Sequence, residues 1–348
     1  MAALLPALLL TAPVPTFGQS NRVAWVTVKN GGFVDSIKRS DVDVQIGRTH
    51  PTDFTLEQKV VPTRVGLVVD LSSAVKGDQV DRSARVHLAA VGFQRFLKVS
   101  DYTNEYFIGA FKGDYRTLLQ PTSDVSEVSR ELGELDAAKK GGFDCAVLDA
   151  LRTSFAAMNA TSTEKKVLIF VTEGADSSTA KFNEYKPIDL SKIEEEAKKS
   201  DTILYLVYVL TDDDFRNENS YRNSSREASG QAQSLPVVRK LMLGTSMELR
   251  TFSQMRYSNP AMARRYPFIS AGSYEHLVDM TGGRVFYAYD QSEVSLALEL
   301  IAIELRHQYL LTVKNDGEGS SEKFMPIKVT LRNSPRAIVR TRAGFYPR

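Results

Sequence analysis

The stretch VGLVVDLSSAV, residues 65–75, gives the strongest indication of the fold. Its first five residues are apolar and mostly β-branched, as is typical of a strand that is buried on both faces of a parallel sheet. The strand stops at Asp70, and Ser72 and Ser73 follow it, so polar groups lie where a buried strand ends. In open α/β sheets, ligands bind at the carboxyl ends of the strands. The stretch therefore predicts a buried parallel sheet and a candidate site at its edge.

The middle of the chain alternates between two patterns of apolar residues. Short apolar runs predict strands at 65–69, 106–111, 117–120, 167–172, 203–210 and 284–287. Helical spacing or helix-start signals predict helices at 81–96, 124–135, 146–158, 190–199 and 293–306. Such alternation favours an α/β fold with a doubly wound, mostly parallel sheet and helices on both of its faces.

Both ends of the chain have a different pattern, with short alternating strands and no helical period. Each end is too small to fold alone, so we expect the two to pair as a small β-sandwich. The predicted organisation is a β segment at 21–62, an α/β domain at 63–306 and a second β segment at 307–348 that packs with the first. Residues 212–268, rich in Ser, Asn and Arg, are predicted to be an insertion in the α/β domain.

The first twenty residues and the composition limit where the protein works. Residues 1–20 form a short apolar run followed by small and polar residues, which predicts a signal peptide cut near Gly18. We therefore expect an exported protein, periplasmic or extracellular. A net charge of +2 gives no electrostatic support to nucleic-acid binding. No later apolar run is long enough to span a membrane, and the single cysteine, Cys145, has no disulfide partner within the chain.

Two more motifs are predicted to lie at the same edge of the sheet as Asp70. GGFDCAVLDAL, residues 141–151, opens a predicted helix and contains Cys145. TEGAD, residues 172–176, ends a later strand and contains Glu173. If the sheet is parallel, all three motifs meet where a partner or ligand would bind.

In order and spacing, these three motifs resemble the von Willebrand factor type A domain, and most of all the branch found in exported bacterial proteins. The flanks resemble that branch as well, in TGGRVF at 281–286, QYLL at 308–311 and RAGFYP at 342–347. The resemblance implies a doubly wound fold and a role in protein binding. In the family the three loops hold a divalent cation, which takes an acidic group from the partner.

The ligand positions implied by the resemblance are only partly kept. Asp70 and Ser72 match the first loop, but Ala74, Cys145 and Glu173 stand where a serine, a threonine and an aspartate are expected. Alanine offers no ligand atom, and a neutral thiol is a poor ligand for Mg²⁺. Two interpretations follow. Either Asp70, Ser72 and Glu173 hold a weak, water-rich Mg²⁺, Mn²⁺ or Ca²⁺, or the adhesion site is degenerate and Asp70 and Ser72 serve as caps.

The sequence favours an exported, non-enzymatic protein-binding or scaffolding module without a resident cofactor. The predicted contact residues are Asp70, Ser72, Ser73, Cys145 and Glu173, and no catalytic residue is assigned. One alternative is a structural protein of envelope assembly. Another is a hydrolytic enzyme that uses carboxylates in the same crevice, which is disfavoured because no nucleophile–base pair can be assembled. The sequence identifies neither the partner nor the oligomeric state.

Overall fold

A computed structural model provides the fold. It describes residues 22–71, 79–101, 103–112, 114–137, 146–160, 163–172, 190–209, 271–288, 290–314, 324–334 and 336–346. The strands are β1 (Arg22–Lys29), β2 (Val42–Ile46), β3 (Phe54–Gln58), β4 (Thr63–Asp70), β5 (Glu105–Phe111), β6 (Tyr115–Thr122), β7 (Lys165–Thr172), β8 (Ile203–Val209), β9 (Arg284–Ala288), β10 (Tyr309–Val313), β11 (Met325–Leu331), β12 (Ile338–Arg340) and β13 (Gly344–Phe345). The helices are α1 (Gln79–Val99), α2 (Val125–Ala137), α3 (Val147–Asn159), α4 (Ser191–Lys199), α5 (Ala271–Thr281) and α6 (Gln291–Arg306).

Six strands form the central sheet, in the order β6-β5-β4-β7-β8-β9. All neighbouring pairs are parallel except β5 and β6, which form an antiparallel pair at one border. Every residue of β7 is buried, as expected for a strand in the middle of a sheet that is covered on both faces. The predicted mostly parallel α/β sheet is confirmed.

Helices cover both faces of this sheet because successive strand residues point to opposite sides. Leu67 and Val69 of β4 pack in one apolar cluster with α1, α2 and α6, whereas Val68 packs in a second cluster with α3, α4 and α5. The helix predicted to begin at Asp124 has its first turn capped there, since Asp124 Oδ1 accepts bonds from the backbone N–H groups of Ser126 (2.8 Å) and Glu127 (3.3 Å).

The remaining strands form two antiparallel sheets, in the orders β12-β1-β10-β3 and β13-β11-β2. Each sheet combines strands from both ends of the chain: Trp25 of β1 lies opposite Leu310 of β10, and Val44 of β2 lies opposite Val329 of β11. Apolar side chains of both sheets share one buried cluster, so the two sheets form a sandwich. We call these two sheets the terminal sandwich.

The terminal sandwich is attached at the edge where the parallel strands begin. Arg342 donates to the carbonyl oxygens of Lys198 (2.9 Å) and Ser200 (3.1 Å), at the end of α4. The N–H of Ala343 donates to Met280 O (2.9 Å), near the end of α5. Because helices that follow parallel strands run back across the sheet, these contacts lie at the amino-terminal edge of the sheet. The carboxyl-terminal edge is on the opposite side.

Several sequence predictions lie outside the described residues. They include the signal peptide at 1–20 and the insertion at 212–268. The exact domain boundaries stay predictions. Within the part of the chain that is described, no helix has the length and apolar character needed to cross a membrane.

Candidate functional site

The carboxyl ends of β4, β5 and β7 lie side by side. Asp70, the last residue of β4, is opposite Phe111, the last residue of β5, and Val69 is opposite Val171 of β7. The N–H of Leu71 donates to Phe111 O (2.8 Å), which extends the pairing one residue past the end of β4. The chain therefore leaves β4, β5 and β7 at one edge.

The start of α3 is at the same edge. Its N-cap residue, Ala146, donates its N–H to Lys112 O (2.7 Å), and Lys112 directly follows β5. Ala146 is also the residue after Cys145 in the chain. The described flanks of all three predicted motifs, Leu71, Ala146 and Thr172, therefore meet at the carboxyl-terminal edge of the sheet.

Asp70 is a buried carboxylate with a buried hydroxyl partner. Its Oδ2 accepts a 2.7 Å hydrogen bond from Oγ1 of Thr172, and the two residues are 2% and 1% exposed. A buried carboxylate is stable only when hydrogen bonds replace its hydration. This bond joins the first motif to the third, because the two strands that end in Asp70 and Thr172 are neighbours.

Of the five predicted contact residues, Asp70 is the one within the described part of the chain. Ser72, Ser73, Cys145 and Glu173 lie outside it, so their role as contact residues stays a prediction. Sequence reasoning did not assign a role to Thr172. The signal was a polar residue that ends an otherwise apolar strand next to Glu173.

The ligand positions that the family resemblance implies are a poor fit to a hard metal ion. One oxygen of Asp70 is already engaged by Thr172. Ala74 supplies no oxygen and Cys145 supplies sulfur, whereas Mg²⁺ and Ca²⁺ take oxygen ligands. The described residues also contain no group of three or more His, Cys, Asp or Glu side chains that is arranged to hold a metal. We therefore derive no function through a bound ion.

Comparison with known proteins agrees with the order of the motifs. Residues 65–175 match the family described as the von Willebrand factor type A domain, which supports a domain of this type in the part of the chain that carries the first two motifs and residues 172–175 of the third. No curated protein matches the sequence.

The solved structures that match this chain have little sequence identity to it. A von Willebrand factor type A protein from Catenulispora acidiphila is 9% identical, with 95% of this chain and 75% of that chain covered at a TM-score of 0.44. An aerotolerance-related membrane protein from Bacteroides fragilis is 11% identical, with coverages of 70% and 98% and a TM-score of 0.41. The pilus adhesin SpaC from Lactobacillus rhamnosus GG is 12% identical, with coverages of 88% and 48% and a TM-score of 0.42.

Proposed function

We propose that the protein is an exported, non-enzymatic binding module whose protein partner contacts the carboxyl-terminal edge of the central sheet. The observation that carries this proposal is the meeting of Leu71, Ala146 and Thr172 at that edge. The described contacts of Arg342 in the terminal sandwich lie at the other, amino-terminal edge. The family match over residues 65–175 supports a binding role for the same face.

The burial of Asp70 and Thr172 argues against the hydrolase alternative. A hydroxyl beside a carboxylate is the kind of pair that nucleophilic catalysis uses. Here, however, both residues are at most 2% exposed, so a substrate has no access to the hydroxyl oxygen. We infer that the pair fixes the ends of two strands, and that partner contact falls to the exposed residues around it.

Charge reversal at this edge tests the proposal without disturbing the core. Asp114, in the exposed turn after β5, pairs with Arg116 at 3.1 Å, and the two side chains are 61% and 71% exposed. We expect Asp114→Arg to lower the affinity for a partner captured from envelope extract by about tenfold. The matched control is Lys314→Glu, which reverses an exposed charge on the terminal sandwich, where Lys314 pairs with Asp53.

The two variants also separate the alternatives. Equal capture by Asp114→Arg and the wild type, with loss in Lys314→Glu, would favour the structural-assembly alternative, in which the terminal sandwich makes the contact. A broad hydrolase screen on the wild type addresses the enzyme alternative, and turnover that Asp70→Asn abolishes would overturn the non-enzymatic proposal.

We propose further that binding does not depend on a resident divalent cation. Calorimetry with Mg²⁺, Mn²⁺ and Ca²⁺ should show no tight site in the wild type, and partner capture should persist in a chelator. Restoring the oxygens with Ala74→Ser, Cys145→Thr and Glu173→Asp together should create cation binding. Capture that the chelator abolishes would instead support the weak-cation interpretation, with Asp70, Ser72 and Glu173 as ligands.

Export is the remaining part of the proposal and rests on residues 1–20. Expression of the full chain in a bacterial host should give a mature protein that begins close to Gln19. Amino-terminal sequencing of the envelope fraction checks this, and an uncleaved amino terminus in the cytoplasmic fraction would contradict it.

A further inference from the structure

A lysine is buried where the central sheet meets the terminal sandwich. Lys165 is the first residue of β7 and is 2% exposed. Its Nζ donates to Leu305 O (2.7 Å), near the end of α6. The same nitrogen lies 4.3 Å from the centre of the Trp25 ring, which belongs to β1 of the terminal sandwich. One amine therefore contacts the sheet's last helix and the sandwich together.

The carboxylate that acts on Lys165, that of Glu304, is already engaged by other groups. Glu304 of α6 accepts bonds from Arg340, from Tyr205 Oη (2.9 Å) and from Thr27 Oγ1 (3.2 Å), and its Oε2 is 3.4 Å from Lys29 Nζ. Lys165 itself makes no ion pair with any residue that the structure describes.

The charged and titratable groups at this junction come from β1, β8, β9, α6 and β12. Those that interact with Glu304 form the junction cluster, which consists of Lys29, Tyr205, Arg284, Glu304 and Arg340. Asp101 and Arg306 lie at the rim of the small pocket that Lys165 lines. The junction cluster therefore holds three cations and one carboxylate before Lys165 is counted.

A charge on Lys165 is only partly compensated. Its direct partners are a neutral carbonyl and an aromatic ring, and taking an ammonium out of water without a carboxylate partner is costly. Among the described groups, the charge that acts on Lys165 is that of Glu304, and its attraction offsets the cost of burial only in part. The closed junction therefore favours the neutral amine, which still donates to Leu305 O.

We propose that Lys165 is a proton-controlled latch: as a neutral amine it holds the terminal sandwich on the α/β domain, and protonation weakens that attachment. The latch acts at the edge of the sheet opposite the proposed partner site. It is therefore independent of the proposed binding function and is tested separately.

Burial lowers the pKa of Lys165 from 10.5 to about 7. An opened junction hydrates the amine and returns its pKa to the ordinary value, so the open form binds the proton more readily above pH 7. Attachment therefore strengthens as the pH rises from about 7 toward 10.5, and it is constant and weakest below about 7. In the middle of this window the opening constant should fall by about tenfold for each pH unit.

Trp25 gives a direct optical readout, because it is the only tryptophan in the chain. Titration of the full-length wild type from pH 5 to pH 9 should change its emission in one step centred near pH 7. Lys165→Met should remove the step. The matched control is Lys166→Met: Lys166 is also buried, but it pairs with Asp201 at 2.9 Å, so this variant should keep the step.

Amide exchange tests whether protonation controls attachment. Protection factors of the β1 amides in the wild type should rise by about tenfold for each pH unit in the middle of the window, and those of Lys165→Met should stay flat. Lys165→Arg, which stays charged, should show weak protection at every pH. Absence of the emission step in the wild type would overturn the proposal even if no variant folds. The proposal would also be overturned if Lys165→Met kept the emission step. The same holds if the β1 protection factors of the wild type and of Lys165→Met changed with pH in the same way.

Discussion

The two edges of the central sheet are stabilised by different kinds of interaction. At the carboxyl-terminal edge, a short hydrogen bond between Asp70 and Thr172 joins the ends of two neighbouring strands. At the amino-terminal edge, Glu304 and its cationic partners lie beneath strands from both ends of the chain. The buried ionic network lies where the terminal sandwich must be held on the central sheet. At the edge proposed for the partner, a hydrogen bond between two strand ends is sufficient.

The largest expected loss of stability comes from a substitution at the amino-terminal edge. Glu304 is fully buried, and although burial raises its pKa, Arg340 and Lys29 hold the pKa below its ordinary value. Glu304→Gln leaves those cations buried without a carboxylate, which should lower the free energy of unfolding by about 3–5 kcal/mol. Urea denaturation measures this loss.

The control for this variant is Glu299→Gln on the same helix, which should change the free energy of unfolding by less than about 0.5 kcal/mol. Because the pKa of Glu304 is lowered in the folded protein, the wild type should also lose stability as the pH falls below the ordinary value of 4.5. Equal stability of Glu304→Gln and Glu299→Gln would show that the network does not hold the two sheets.

The second-largest expected loss of stability comes from a steric clash, also at the amino-terminal edge. A Cβ on Gly283 would lie 1.7 Å from the backbone oxygen of Leu204, an atom that moves only if β8 moves. Gly283→Ala should therefore cost about 1–3 kcal/mol. In contrast, Gly133 is exposed in α2 with nothing within 4 Å of a new Cβ, so Gly133→Ala should stabilise by about 0.5–1 kcal/mol. Thermal unfolding checks the prediction: the midpoint should fall for Gly283→Ala and rise for Gly133→Ala.

A substitution at the carboxyl-terminal edge should lower the free energy of unfolding by less. Thr172→Val removes the hydroxyl that donates to Asp70 and should cost about 1.5 kcal/mol, as expected for a bond to a charged group. Thr55→Val, at an exposed position of β3, is the comparison variant and should be nearly neutral. If the loss for Thr172→Val matched that for Glu304→Gln, the contrast between the two edges would fail.

The smallest effect is expected from an exposed ion pair. Lys59 and Glu164 are 3.1 Å apart, with side chains 47% and 45% exposed. Lys59→Ala should cost less than about 1 kcal/mol, and the cost should shrink as salt is added, because exposed pairs gain little and are screened. Urea denaturation at low and high salt measures it, and a large loss that salt does not reduce would contradict this reasoning.

Local patterns made much of the fold predictable. The apolar run at 167–172 predicted β7 because a central strand must be apolar on both faces, and Asp124 predicted the start of α2 because its side chain caps free N–H groups. The two-residue strand β13 has no such pattern, since its pairing is set by Met325 and Pro326 of a strand that precedes it in the chain.

The sites were less predictable because they depend on residues that are distant in sequence. Asp70 was found from its place at a strand end, but Thr172, 102 positions away, acquires its role only through the pairing of two strands. Glu304 looks like an ordinary residue of an amphipathic helix. Its partner Thr27 is 277 positions away, and nothing local links the two.

The most direct test of the account uses the single cysteine, Cys145. If the three motifs meet at one edge, a second cysteine introduced by Glu173→Cys should be joined to Cys145 by a short bis-maleimide within one chain. The comparison variant, Lys314→Cys on the terminal sandwich, should not be joined to Cys145. Rapid cross-linking of the first variant alone is the predicted result. Equal yields from both variants, or no cross-link in Glu173→Cys, would contradict the convergence on which the proposed function depends.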